Sequence, residues 1–468
     1  NTGLIVGLGT GSDATLKLLS GSITLGNNLD VGRGGNADVI VSGGTLKVGN
    51  NLLIGNSANG HANFTQTGGT ITTNNATLSR ASVTDLSGGT LGVTLDLTLS
   101  LAGTTLTVRD TASVTVGSRF SMSNGVLNIN NGGTVNATSG ADLYLGSAGG
   151  GTPVVNLNGG TLKQSSGTTR IGAVSNSDTT VNINNGGLLD LRALLLGANG
   201  NATVNVNTGG TLLLGSGTYT NIGSSSGATY AGNGILNING GSVQLTASGN
   251  SLTLGNTVFD ATFRTKGTLN LLAGSLVSAK TLLVGEAGDG IVTVSGGTGT
   301  INNDIRLANA TGSTGSITLN GGSLSATGNI SAGAGAATIT FNGGSLSANA
   351  LLFTIADATF TSSLNITGSV ANLTLSNGII VDLSAYTGAG ATFDLLTYTD
   401  AALESVNVTF DLGTTPFAAA AQWDAGKLSV VLTAVPEPAT TALLLGLAAL
   451  GLALFWVHTK GAKGITKV

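Results

Sequence analysis

One phrase recurs along this chain: a short apolar strand, a Gly-Gly pair, usually Thr or Ser, and a second apolar strand. Each repeat unit is too small to bury its own apolar face, so successive units must stack on one another. The average period is about 25 residues, which lies in the range of solenoid repeats. The first glycines of the clear copies are Gly43, Gly68, Gly88, Gly132, Gly159, Gly186, Gly209, Gly240, Gly321 and Gly343.

Within one period the pattern predicts three short strands. In residues 37–55, apolar residues alternate through 37–41, 45–48 and 52–54, and glycines and asparagines separate these runs. Alternation closed by Gly and Asn is typical of strands and tight turns. We therefore predict an all-β solenoid with about 25 residues per coil. At the usual spacing between strands, roughly 17 coils before residue 434 would form a rod of about 80 Å.

An asparagine often precedes the Gly-Gly pair. Asn tolerates the left-handed backbone conformation, so these residues could serve only as turn residues. Stacked Asn amides could also form hydrogen bonds from coil to coil. Both readings remain open for the residues concerned, which are Asn158, Asn185, Asn239, Asn320 and Asn342.

Composition restricts the partners and the chemistry. Charged residues make up 8% of the chain and the net charge is −4. The repeats carry no basic patch, which argues against a nucleic-acid partner. Cysteine is absent, which removes disulfides and thiolate metal sites. The chain begins at Asn1 without Met, which we read as a fragment or a processed form.

The chain divides into five segments by its pattern. Repeats fill residues 1–349, and longer strands with more aromatics over 350–434 predict the last coils and a β-cap. A Pro-Glu-Pro linker spans 435–438. The uncharged apolar run at 439–457 is long enough to span a bilayer as a helix. The basic tail at 458–468 predicts a cytoplasmic C-terminus, although a buried helix after a Pro-rich linker is the alternative.

The repeats resemble the autotransporter-associated β-strand repeats of bacterial surface proteins. The likeness rests on Leu-x-Ile/Val-Gly strands beside Gly-Gly-Thr-Leu and covers most of residues 1–350. That family implies a right-handed parallel β-helix on the cell surface.

The tail resembles the PEP-CTERM sorting signal. Its parts stand in the family's order: Pro436, Glu437 and Pro438, then the apolar run, then basic residues. The family implies recognition by an exosortase, cleavage near Pro-Glu-Pro, and delivery to the envelope, surface or extracellular matrix of a Gram-negative-type bacterium after transient inner-membrane anchoring. Where the family usually has an Arg cluster, this chain has the spaced lysines Lys460, Lys463 and Lys467.

Parallel β-helices also host polysaccharide lyases and hydrolases, which need nearby carboxylates or Asp-bound calcium. The densest local charged group comprises Asp178, Asp190, Arg170 and Arg192, and corner charges on a solvated rod explain it more simply. We predict that His61 is a surface loop residue and not a catalytic base. We therefore predict no catalytic, cofactor-binding or metal-binding residue.

The expected function is that of a non-enzymatic, exported surface or biofilm-matrix protein, structural or adhesive. Expected partners are the exosortase, exopolysaccharide, other surface proteins, and further copies of the chain in a filament, since solenoid ends expose strand edges. The alternative is an extracellular polysaccharide lyase or hydrolase. An ice-binding face is not favoured, because Thr70-Ile71-Thr72 and Thr105-Leu106-Thr107 do not share a register.

Overall fold

Three short strands separated by tight turns build each turn of the chain. In the turn that contains the Gly186-Gly187 pair, the strands are Asp178–Asn184, Leu188–Leu191 and Leu194–Leu196. Burial alternates along each strand, so that every second side chain points inward. The inward side chains are almost fully buried, and all but Thr179 are aliphatic. The turn therefore has three faces around one core, and we number them one to three in chain order.

The computed structural model describes residues 3–56, 60–80, 82–138, 140, 142–215, 217, 220–225, 231–247, 251–257, 264–414, 417–435, 445–450 and 452–454. The strands of face one are Asp13–Leu18, Asn36–Val41, Ala62–Gln66, Val83–Leu86, Thr105–Val108, Val126–Asn130, Val154–Asn158, Asp178–Asn184, Asn201–Asn207, Asp289–Val294, Thr314–Leu319, Ala336–Phe341, Ser363–Gly368 and Thr392–Tyr398. Two longer strands run through faces one and two, Asn233–Leu245 and Lys266–Ser278.

The strands of face two are Ser22–Leu25, Thr45–Val48, Thr70–Thr73, Thr90–Val93, Ser113–Val116, Thr134–Ala137, Thr161–Gln164, Leu188–Leu191, Thr211–Leu214, Thr298–Ile301, Ser323–Ala326, Ser345–Ala348 and Leu373–Leu375. The strands of face three are Leu4–Val6, Leu29–Val31, Asn51–Ile54, Asn75–Leu78, Asp96–Leu99, Arg119–Met122, Asp142–Leu145, Thr169–Ile171, Leu194–Leu196, Thr220–Ile222, Leu252–Leu254, Leu282–Val284, Ile305–Leu307, Ile330–Ala332, Leu351–Thr354, Ile379–Asp382 and Val408–Asp411.

Parallel pairing from turn to turn confirms the β-solenoid. Face three forms a 17-stranded sheet, and faces one and two together belong to a 31-stranded sheet. Asp178–Asn184, for example, pairs in parallel with Asn201–Asn207. The stack has about 15 turns of about 25 residues. The sequence estimate of roughly 17 coils agrees with the 17 strands of face three, whereas faces one and two have fewer strands, and the stack is about 70–80 Å long at the usual strand spacing. The right-handed sense stays a prediction.

The Gly-Gly pair forms the corner between faces one and two. Gly186 has a φ of +84°, a conformation that glycine adopts without strain. A Cβ on Gly187 would collide with the carbonyl oxygen of Leu157 in the preceding turn. One glycine therefore supplies the bend and the other the close approach of two backbones, which explains why the pair recurs.

Asparagine ladders connect the turns on the outer surface of face one. Each amide Nδ2 donates to the Oδ1 of the Asn one turn earlier, at 2.8 to 2.9 Å in the first row and 2.7 to 3.1 Å in the second. The first row is Asn128, Asn156, Asn182, Asn205, Asn237 and Asn270. The second row is Asn130, Asn158, Asn184 and Asn207. These half-buried amides satisfy one another along the axis.

Both readings of the asparagines before Gly-Gly hold, at different positions. Asn158 is a ladder residue, and Asn342 Nδ2 donates to Asn320 Oδ1 at 2.8 Å. Asn185 has a φ of +45° and is a turn residue. Asn239 lies at a register irregularity in the longer strand of its turn. Three of the five residues, Asn158, Asn320 and Asn342, therefore make the amide contacts that the sequence offered as one alternative.

A row of hydroxyls follows the same corner onto face two. The first outward residue of most face-two strands, which usually follows a Gly-Gly pair, stacks on its counterpart in the next turn. Leu188 interrupts the row. Thr70 lies in this row, whereas Thr105 lies on face one, so the two Thr-x-Thr segments indeed occupy different faces. The members are Ser22, Thr45, Thr70, Thr90, Ser113, Thr134, Thr161, Thr211, Ser242, Ser275, Thr298, Ser323 and Ser345.

The last turn changes its construction. The 3₁₀ helix Ala401–Ser405 follows the last strand of face one, and another, Val370–Asn372, precedes Leu373–Leu375. Strand Lys427–Ala434 pairs antiparallel with both Thr392–Tyr398 and Phe417–Asp424. Aromatic rings pack edge to face here, with centroids 5.6 Å apart for Tyr398–Trp423 and Tyr386–Phe417 and 5.7 Å for Tyr386–Phe393. Antiparallel strands thus end the parallel stack on face one.

The described part of the tail is helical and exposed. Residues 445–450 and 452–454 are helical. No helix within the described residues is long and apolar enough to cross a membrane. The structure therefore gives no support to the transmembrane helix expected over residues 439–457.

A lysine is buried inside the stack. Lys280 is 1% exposed, and its Nζ donates to Thr220 Oγ1 at 3.3 Å. Its main chain is held by Ser278, whose Oγ accepts from the Lys280 N–H at 3.1 Å. Burial lowers the pKa of Lys280 below its ordinary value of 10.5, because a charged ammonium loses hydration there. The native state therefore binds fewer protons than the unfolded chain between that lowered pKa and 10.5, and stability rises with pH across this window.

Replacing this lysine should stabilise the protein. We expect Lys280→Met to raise the free energy of unfolding at pH 7 by about 1–3 kcal/mol, because no ammonium is then desolvated. The gain should shrink towards pH 10.5, where the unfolded chain also loses the charge. Thermal unfolding midpoints at both pH values measure this, and Lys47→Met, on exposed face two, is the control. An equal gain at both pH values would contradict the account.

The longer Asn ladder should contribute measurably to stability. Asn205→Ala leaves Asn182 Oδ1 and Asn237 Nδ2 without their partners, which should cost about 1–2 kcal/mol. Thr203→Ala, two residues earlier on the same outward face, is the matched control. Hydrogen exchange of the amides in residues 178–245 should accelerate in Asn205→Ala alone. Equal exchange rates in the two variants would show that the ladder adds nothing.

Candidate functional site

Two neighbouring strands of face three place a tyrosine beside an arginine. Tyr144 in Asp142–Leu145 pairs with Arg170 in Thr169–Ile171. The strand alternation sends Leu143, Leu145 and Ile171 into the core, so Asp142, Tyr144 and Arg170 face outward. The cluster is therefore built on the rigid part of the stack.

Short contacts fix the three side chains. Arg170 Nη1 donates to Tyr144 Oη at 3.1 Å and to Asp142 Oδ2 at 3.3 Å. Tyr144 Oη donates to the same Asp142 oxygen at 3.2 Å, and the Thr168 N–H donates to Asp142 Oδ1 at 2.8 Å. The Arg170 guanidinium carbon lies 5.0 Å from the Tyr144 ring centroid, within cation–π range.

Charged side chains on face three alternate in sign from turn to turn. Asp96, Arg119 and Asp142 are register neighbours in consecutive turns. Arg119 Nη2 lies 2.8 Å from Asp96 Oδ2, and Arg170 pairs with Asp142. The two carboxylates therefore balance the two guanidiniums, and the cluster carries no net charge.

Two grooves adjoin the cluster. One has a volume of about 380 Å³, and its lining residues are Asp96, Ser118, Arg119, Gly140, Asp142 and Tyr144. The other has a volume of about 280 Å³, and its lining residues are Arg170, Leu195, Ala198, Asn199, Asn221, Ser224, Ser225 and Asn256. Tyr144 thus borders the first groove and Arg170 the second. Amides and hydroxyls dominate the second groove, with Leu195 and Ala198 as apolar contacts.

A larger cavity lies near the C-terminal end of the stack. It measures about 650 Å³, and its walls include Leu373–Leu375, Val406, Asn407 and Thr409. Strand Leu373–Leu375 pairs with Ser345–Ala348 on one side. This cavity contains no charged side chain among its described lining residues.

The structure separates the charged group that the sequence singled out. Asp178 is exposed on face one, Asp190 lies on face two with its carboxylate 3.1 Å from Lys163 Nζ, and Arg170 lies on face three. Arg192 is exposed in the turn between faces two and three. These residues do not form one site, because successive strands of a turn face different directions.

The other sequence candidates lie in turns or outside the described residues. His61 is exposed just before strand Ala62–Gln66, and its carbonyl accepts from the Ala37 N–H at 2.9 Å. The sorting-motif residues Pro436, Glu437 and Pro438 and the tail lysines Lys460, Lys463 and Lys467 lie outside the described residues. Within the described ranges, no group of three or more His, Asp or Glu side chains is placed to hold a metal ion.

Sequence reasoning missed Asp142 and Tyr144. Tyr144 is the one aromatic side chain with partial exposure among the described residues up to 350, since Phe64, Phe120 and Phe341 are buried. An aromatic residue between two core leucines, in Asp-Leu-Tyr-Leu, is the pattern that marks an outward ring on a strand. Its pairing with Arg170 depends on the register between turns, which the sequence does not contain.

Neither protein-family models nor curated proteins match this chain.

The carboxylate of Asp142 should contribute more to stability than the neighbouring ion pair between Asp96 and Arg119. Asp142→Ala removes three hydrogen bonds, and we expect a loss of about 1–3 kcal/mol in the free energy of unfolding. Asp96→Ala removes one partly exposed ion pair and should cost about 0–1 kcal/mol. Thermal unfolding of both variants tests this. Equal midpoints would mean that Asp142 does not hold the cluster.

Proposed function

We propose that this protein is a non-enzymatic, exported structural or adhesive rod of the bacterial surface or extracellular matrix. The observation that carries the proposal is the continuous stack of about 15 turns. Backbone pairing runs along its whole length, and Asn ladders reinforce its outer surface. A stack of this kind presents long, flat, regular faces and is stiff along its axis.

The placement of the charged side chains supports a rod over an enzyme. Glycosidases need two carboxylates on opposite sides of one bond, within about 10 Å of each other. Asp96 and Asp142, which line one groove, are instead each paired with an arginine, and Asp190 pairs with Lys163 on another face. Paired surface charges of this kind keep a rod hydrated and add little to its stability.

The tail supplies the proposed route of export. The Pro-Glu-Pro motif, the apolar run and the lysines resemble the PEP-CTERM signal, and the repeats resemble autotransporter-associated repeats. We propose that an exosortase cleaves near Pro436–Pro438 after the apolar run has held the protein transiently in the inner membrane. Lys460, Lys463 and Lys467 would stay on the cytoplasmic side. The released rod would then join the surface or matrix, where further copies or other surface proteins could add to its ends.

Cleavage at the motif is the first test. In a Gram-negative-type host with an exosortase, mass spectrometry of the surface fraction should find C-terminal peptides that end between Pro436 and Ala439. Glu437→Ala should leave the protein uncleaved and in the membrane fraction, whereas Asp424→Ala, an exposed carboxylate in the cap, should be processed normally. Surface peptides that still contain residues 445–468 in the unmodified protein would contradict the sorting role.

A further inference from the structure

Three polar side chains in the second groove of face three have no hydrogen-bond partner among the residues that the structure describes. Asn221 is 9% exposed and Ser224 is 4% exposed, yet neither side chain makes a hydrogen bond within the described residues, and the same holds for the more open Asn256. The polar atoms of these side chains open onto the groove, where water or a ligand must satisfy them. Because all three line one groove, their free donors and acceptors point to a hydrogen-bonding ligand there.

Arg170 adds free donors at the border of this groove. Both of its hydrogen bonds use Nη1, so Nε and Nη2 have no partner within the described residues. Asp142 and Tyr144 hold the guanidinium in place, so little side-chain entropy is lost when a ligand binds. Leu195 and Ala198 offer apolar contact beside these polar groups.

The grooves follow the axis of the stack. Ser121, Tyr144, Arg170, Leu195 and Asn221 are register neighbours in one outward row. From Asp96 to Asn256 the two grooves span seven strands of face three, which is about 30 Å at the usual strand spacing. A ligand that used both grooves would therefore be extended and repetitive.

Because the charges along the grooves are paired, they favour an uncharged extended ligand over a charged one. The two carboxylates and two guanidiniums that line the two grooves pair with one another, so the grooves offer no net field to an acidic or basic polymer. Sugar hydroxyls both donate and accept, which matches the free Asn and Ser groups. The apolar face of a sugar ring fits beside Tyr144, Leu195 and Ala198.

We propose that the face-three grooves bind an uncharged polysaccharide strand that lies along the axis of the rod. The inference rests on the proposed function, because it names the class of partner that a surface or matrix rod would hold. Asn221, Ser224, Asn256 and the free nitrogens of Arg170 bind the hydroxyls, and the Tyr144 ring contacts a sugar face.

Binding of the full-length protein to immobilised laminarin, dextran and hydroxyethylcellulose tests this, with alginate as the charged comparison. At least one neutral glucan should bind, and Asn221→Leu should weaken that binding about tenfold, since a buried hydrogen bond to the sugar is lost. Asn136→Leu is the matched control, because Asn136 is an outward asparagine of face two whose Oδ1 is also unpartnered. Circular dichroism and the thermal midpoint confirm that both variants are folded.

Arg170→Lys provides a second readout. It keeps the charge but loses the planar fork, so neutral-glucan binding should weaken while the fold persists. No binding to any of the three glucans, binding to alginate alone, or equal binding by Asn221→Leu and Asn136→Leu would each overturn the inference. If the protein reaches the surface but binds no neutral glucan, the glucan-binding inference fails and the proposed function stands. If it binds a neutral glucan but is never exported, the proposed function fails and the glucan-binding inference stands.

Discussion

Parallel backbone pairing between successive turns is the constraint on which the rest of this structure depends. A turn of about 25 residues has three short strands and cannot enclose a core by itself. Pairing with the turns above and below supplies both the hydrogen bonds and the burial. The register of that pairing also fixes which side chains become neighbours. Every row on the surface, apolar or polar, is therefore a consequence of the same backbone contacts.

This constraint explains how a chain with few charged residues keeps a single register between its turns. In a uniform stack a strand could slip by two residues without turning its apolar side chains outward. The Gly-Gly corner opposes such a slip, because Gly186 has a left-handed φ and Gly187 lies against the Leu157 carbonyl. The Asn ladders oppose it as well, because a two-residue slip of this strand keeps only one of its two asparagines, Asn182 and Asn184, opposite asparagines in the adjacent turns.

The polar features of face three arise from the same stacking. Asp142, Tyr144 and Arg170 belong to two different turns, and they meet because those turns are in register. The stack also distributes charges that are close in sequence. Asp178 and Asp190 are in one turn but lie on different faces. Function on such a rod depends on rows that cross turns, and the fold places free amides such as Asn221 in one of them.

The sequence by itself determined the class of fold, the period and the position of the corners, because local strand alternation and glycine turns encode them. It also indicated that asparagines could form ladders. Only the tertiary structure decided which asparagines do so, that Asn185 is a turn residue, and that Tyr144 lies against Arg170. Insertions vary the length of each coil, so spacing in the sequence does not give the register between turns. Register is a property of backbone pairing over a whole turn, and the surface chemistry of this protein follows from it.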